Sequence, residues 1–168
     1  MKNMFCFFFG VSLILSGCHH NVESEPVDLD AAESELNALT DGYFNAWKER
    51  DIAFLENVIA DWGIYCGTDP KEFWNKDGVI ELWKEYFNDT LATFEYTSVK
   101  REINVSPDGS SAVIVNQGTY AEWSPNITVR EAFHVLKAGE EWKIDFISWS
   151  FLIRNEDVGK LNNALEEN

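Results

Sequence analysis

The apolar residues of this chain keep one period up to about residue 90 and a different one after it. Leu29, Ala32, Leu36, Leu39, Tyr43 and Ala46 step by three and four, with Trp47 beside them. That is the single stripe of an amphipathic helix ending near Glu49. Asp51 is placed to cap a short second helix carrying Ile52, Leu55 and Val58. Residues 62–66 read as a short strand, and Asp69-Pro70 as the start of a helical turn. Gly78 opens a third helix with Val79, Leu82, Trp83, Tyr86 and Phe87 on its buried side. From residue 91 the pattern is that of strands, over 91–105, 112–123, 127–137 and 141–153. Pro107-Asp108-Gly109, Pro125-Asn126 and Gly139 separate them. Asn155 is placed to cap a last helix with Val158, Leu161 and Leu165. Helices followed by consecutive strands predict an α+β fold. The expected architecture is a cone-like curved sheet, mixed or antiparallel. Three N-terminal helices pack on its concave face, and a short helix ends the chain.

Residues 1–17 have the form of an export signal. Lys2 supplies the positive charge, and the apolar run of residues 5–15 is shorter than the roughly 20 residues a spanning helix needs. Leu15-Ser16-Gly17-Cys18 resembles the bacterial lipobox, which implies that Cys18 is lipidated and becomes the mature N-terminus. The expected organisation is a signal over 1–17, a lipidated cysteine and tether over 18–30, a folded domain over 31–154 and a C-terminal helix over 155–168. The protein would then be anchored in the bacterial cell envelope, facing the periplasm or exposed on the outer membrane. With 13 Lys+Arg against 29 Asp+Glu the formal charge is −16, which repels phosphate backbones and excludes nucleic acid as a partner. With Lys2 cleaved away the balance is 12 − 29 = −17, so the body should hang off anionic lipid rather than lie on it.

Cys6 leaves with the signal and Cys18 is acylated, so Cys66 has no intrachain partner and reads as a structural thiol rather than a nucleophile. His19 and His20 on a flexible tail lack the fixed geometry of a metal site. No zinc-protease helix motif, phosphate loop or Cys/His cluster occurs, so neither metal nor cofactor is expected.

Tyr43 and Trp47 followed by Arg50-Asp51, then Tyr65, Thr68-Asp69-Pro70, Trp74 and Gly78, come in a suggestive order. So do Ser106-Pro107-Asp108-Gly109 with Ala112, Arg130 with Val135, and Trp142-Lys143-Ile144 ending at Ser150. In this order and spacing the chain resembles the SnoaL-like branch of the nuclear transport factor 2-like superfamily, over about residues 36–151. The resemblance implies a cone whose helices close one end and whose bent sheet surrounds an apolar pocket. It implies isomerase-, cyclase- or hydratase-type chemistry in some members, binding or assembly in others, and frequent dimers. A homodimer through the sheet is therefore open. Fold alone does not choose among these roles.

The last hairpin can be phased. If Gly139-Glu140 is a two-residue type II′ turn, Val135 faces Ile144, Phe133 faces Phe146 and Glu131 faces Ser148. That face would be the pocket wall. The other face would pair His134 with Asp145 and Arg130 with Trp149; a slip of one residue exchanges the two. Tyr65, Trp74, Trp83, Phe87, Glu131, Phe133, Phe146 and Ser148 are the pocket candidates. Trp62 and Trp123 are further aromatics that could line it. Many SnoaL-like relatives end in a His-x-Ser pattern where this chain has Ser148-Trp149-Ser150, and a serine without a base is a poor proton shuttle. The departure favours a small-molecule binding module for an apolar or cyclic ligand. The alternatives are a cofactor-free acid/base enzyme using Glu131, His134 or Asp145, and a non-catalytic dimerisation or docking domain.

Overall fold

The computed structural model describes residues 27–166. The signal, Cys18, the histidine pair and most of the tether lie outside those residues. Helix α1 (Leu29–Glu49) starts where the Asp28 carboxylate accepts the Ala31 N–H, so residues 29 and 30 belong to the helix rather than to the tether. It stops at Arg50, whose left-handed backbone (φ 59°) turns its N–H back to the Ala46 and Trp47 carbonyls. The predicted stripe is buried from Ala32 onward, with Ala32, Leu36, Tyr43 and Ala46 facing the core, while its first member Leu29 is exposed. Helix α2 (Ile52–Val58) is capped by Asp51 as expected, through the Phe54 N–H.

The chain then enters β1 (Ile59–Cys66), earlier than the predicted residue 62. Asp69-Pro70 does not start a helix. The Asp69 carboxylate takes the Lys71 N–H and the Glu72 carboxylate takes the Asp69 N–H, which satisfies the backbone in a turn. The turn returns the chain as a two-residue strand, β2 (Phe73–Trp74), antiparallel to β1. Asn75 caps α3 (Lys76–Asn88), which therefore opens before Gly78. A four-strand meander follows: β3 (Tyr96–Val105), β4 (Ser111–Tyr120), β5 (Val129–Ala138) and β6 (Glu141–Phe151). Each strand reads shorter than its apolar pattern at one end or the other. Asn155 heads a 3-10 turn (Asn155–Asp157) without a side-chain cap, and α4 (Val158–Glu166) follows with none of its residues buried.

The six strands form one sheet in the order β2-β1-β6-β5-β4-β3, with only the β1–β6 pair parallel. The three helices before the meander are not one block on its concave face. β1 and β2 come between α2 and α3, which sets α3 against β1 and α1 against β3. Leu36, Tyr43, Leu55, Tyr65, Trp83, Ile114, Phe133, Ile144 and Ile147 are all at most 1% exposed and join helices and sheet into one core. Burial of each such side chain contributes about 1.5–3 kcal/mol.

The β5–β6 hairpin follows its predicted phase for half its length. Gly139 has φ +68° and Glu140 does not have positive φ, as a type II′ turn requires. Ala138 pairs with Glu141 and Val135 with Ile144. A bulge then intervenes, and His134 faces Phe146, leaving Asp145 as the extra residue. Beyond it Phe133 faces Ile147, Glu131 faces Trp149, and Arg130 faces Ser150 rather than Trp149. The slip turns Phe146 and Ser148 off the concave face and brings Ile147 and Trp149 onto it.

The neighbouring strand explains where the bulge falls. β1 is irregular between Ile59 and Ile64, and the Tyr65 hydroxyl fills the distortion, 2.9 Å from the Ala60 carbonyl and 3.1 Å from that of Ile144. Gly63 is needed there, because a Cβ would lie 2.1 Å from the Tyr65 hydroxyl and 3.0 Å from the Asp145 carbonyl.

Candidate functional site

Asn116 on β4 and Glu131 on β5 face each other across the ladder, and both side chains point into the concave side with no exposed surface. Alternation along β4 carries the same face on to Tyr120, whose hydroxyl donates to Glu131 Oε1. Burial pushes the Glu131 carboxyl up to about 7, while the Tyr120 hydroxyl and the Trp149 indole pull the other way. Tyr43, Tyr96 and Tyr120 all titrate above the usual phenol range, first because they are buried and then because they feel the Glu131 charge. Glu131 Oε2, the Tyr43 and Tyr96 hydroxyls, the Trp47 indole nitrogen and the Asn116 amide nitrogen are buried without a well-formed hydrogen bond, although the Trp149 indole acts on Glu131 and the Trp47 indole on Tyr43. An unsatisfied buried polar atom costs about 1–3 kcal/mol, so this cluster weighs against stability.

Next to this polar floor lies a largely apolar cavity of about 440 Å³. Five of the seven tryptophans border it: Trp47, Trp74, Trp83, Trp123 and Trp149. Tyr120 borders it too, and so touches both the cavity and Glu131, which stands behind the wall. The volume suits a small cyclic molecule.

Of the sequence-predicted residues, Trp74, Trp83 and Trp123 line the cavity, and Glu131 points to the concave side. Tyr65 and Phe133 are packed in the core and present no surface to the cavity. Phe87 stands behind the wall, edge-on to Trp47 and against Phe94. Trp62, at 60% exposed, lies outside, as do Phe146 and Ser148 after the bulge. His134 and Asp145 meet at 2.6 Å between Nδ1 and Oδ1, outside the cavity, and so are not brought to Glu131. Cys66 is half-buried, and burial raises its thiol pKa, away from the nucleophilic form. Among the described residues no three His, Cys, Asp or Glu side chains converge as metal ligands would.

Sequence reasoning missed Tyr120, Trp149, Trp47 and Tyr96. One signal was available for Tyr120: with Ala112 and Ile114 inward, the even positions of β4 face the core, Tyr120 among them.

Comparison with known proteins fits this geometry. No curated protein sequence matches the chain significantly. Similar solved structures include a nuclear transport factor 2-like protein of unknown function from Pseudomonas putida, 18% identical over 76% of this chain and 91% of that one, with TM-score 0.64. A candidate dehydratase of the same family from Streptomyces avermitilis is 12% identical over 75% and 99%, with TM-score 0.63. A cystatin-like fold protein from Caulobacter vibrioides is 14% identical over 81% and 99%, with TM-score 0.61. At these identities the likeness concerns the fold. The SnoaL-like domain model matches residues 36–154, from the first turns of α1 to just past β6, and the chain belongs to that family.

Proposed function

We propose that this is an envelope lipoprotein, tethered through Cys18, whose SnoaL-like domain binds a small apolar or cyclic molecule in the tryptophan-lined cavity. The observation that carries the binding reading is the cavity itself: about 440 Å³, walled by five tryptophans, with a polar cluster behind one side of the wall. Rigid aromatic walls offer large contact area at low entropic cost.

The Tyr120–Glu131 contact favours a second reading, a cofactor-free acid/base enzyme. A carboxyl poised near 7 exchanges protons readily at neutral pH, and Tyr120 could pass one between it and the guest. The candidate dehydratase among the similar structures has the same fold.

Mass spectrometry of protein purified from bacterial membranes tests both parts of the proposal. The expected intact mass is that of the chain from Cys18 onward plus acyl groups, and the denatured protein should release a cyclic hydrophobe. An unlipidated chain retaining Met1 overturns the anchor. A protein that releases nothing, and whose tryptophan emission no cyclic hydrophobe alters, overturns the pocket.

A further inference from the structure

We propose that the guest of this cavity is an organic cation: a molecule with a protonated amine or quaternary ammonium group carried on an apolar or cyclic body. The inference rests on the binding reading above and narrows it to one charge class. Two carboxylates, Glu72 and Glu122, stand in the cavity wall, and among the described residues no lysine, arginine or histidine does. Each carboxylate accepts one backbone N–H at 2.9 Å, Glu72 from Asp69 and Glu122 from Thr93; Glu72 is half-buried and Glu122 is exposed to solvent. The remaining wall is dominated by tryptophan, the aromatic ring that holds a cation most strongly over its face. An anionic guest would meet two negative charges and electron-rich rings, with Arg50 behind Phe94 as the nearby positive group. A neutral guest would leave that charge pattern unused.

Arg50 does reach one lining ring, with its guanidinium carbon 5.5 Å from the centre of Phe94. It is not part of the cavity wall, and its nitrogens are held by the carbonyls of Phe87 and Ala92. The contact shows that a ring of this wall already accepts a cation on its face. Arg101, the other arginine near the polar floor, is held by Asn116, Asn37 and Asp41 and is likewise absent from the wall. The field of the whole chain, at −16, adds attraction for a cation approaching the mouth.

The test uses three probes of similar shape: benzyltrimethylammonium, its uncharged carbon isostere neopentylbenzene, and phenylacetate. Binding is followed by quenching of tryptophan emission at low salt. The cation should bind at least about tenfold more tightly than the isostere, and phenylacetate most weakly. Glu72→Gln and Glu122→Gln keep an amide oxygen to accept the same backbone N–H but remove the charge. Each should weaken the cation several-fold and leave the isostere unchanged. Equal affinity for cation and isostere, or preference for phenylacetate, overturns the charge proposal while leaving the pocket intact. Failure of all three probes to bind overturns the pocket reading as well.

Discussion

Glu131 and Asp145 belong to the same hairpin, and each meets a titratable partner, yet they lie on opposite sides of the sheet. On the convex side Asp145 meets His134 at 2.6 Å, with the histidine side chain 40% exposed, and water can solvate whatever the pair leaves open. On the concave side the fully buried Glu131 accepts from Tyr120, with the Trp149 indole acting on it and buried, poorly paired polar atoms of Tyr43, Tyr96, Trp47 and Asn116 nearby. The first arrangement is what an exposed sheet face tolerates at little cost. The second is expensive, and a sequence selected for stability alone would replace it by apolar side chains. The contrast is the physical basis for the binding site proposed on the concave side.

The largest effect is expected from the buried carboxyl. Its folded pKa is raised from 4.5 to about 7, so the folded state holds a proton that the unfolded chain has lost between those values. The penalty is absent below pH 4.5, grows as pH rises, and is fully present above 7. It amounts to about 3 kcal/mol. Glu131→Gln does not titrate. Urea denaturation of both proteins should therefore show wild type losing about 3 kcal/mol relative to the variant between pH 5 and pH 8. Taking the difference cancels the exposed carboxylates Asp61, Asp108, Glu122, Glu141 and Asp157, whose pKa values are lowered and which stay charged across that window. A pH-independent difference would mean that Glu131 ionises freely in the folded protein, and the contrast between the two faces would collapse.

A smaller effect sharpens the same contrast through the bulge that divides the faces. Tyr65→Phe removes the hydroxyl that serves the Ala60 and Ile144 carbonyls and leaves the ring in place. The expected cost is about 1–3 kcal/mol in unfolding free energy, measured at one pH. An unchanged stability would show that the bulge holds without Tyr65.

The bulge also explains how much could be read from the sequence. The helix stripe of α1, the Asp51 cap and the Gly139 turn rest on local chemistry, and each stands where the residues indicated. The inward direction of Glu131 and Phe133 follows from alternation counted along β5. Phe146, Ser148 and Trp149 could not be read the same way. Their faces depend on an extra residue at Asp145, set by the fit of Gly63 and Tyr65 on β1, which lies far away in sequence. The two-residue β2 escaped for a similar reason: it exists through its ladder with β1, and two residues carry no period. Tyr65 and Phe133, both pocket candidates, fill core rather than wall, because alternation along β5 gives Phe133 a face and says nothing of where along it the packing opens.

The smallest effect is expected on the convex side. His134→Ala removes a side-chain contact whose histidine is two-fifths exposed, in an exchange where water replaces the lost partner. Pairs of this kind contribute less than about 1 kcal/mol, so a double-mutant cycle with Asp145→Ala should return a coupling below that. Asp145 is the bulged residue, and its own truncation can disturb the strand. The cycle isolates the pair because that disturbance appears in both Asp145 arms and cancels. Tryptophan quenching by a cavity ligand should be the same in His134→Ala as in wild type, since no cavity wall residue touches the histidine's ladder partners Val113 and Phe146 in register. A coupling well above 1 kcal/mol, or lost quenching, would make the outer pair part of the working site and remove the asymmetry between the two faces.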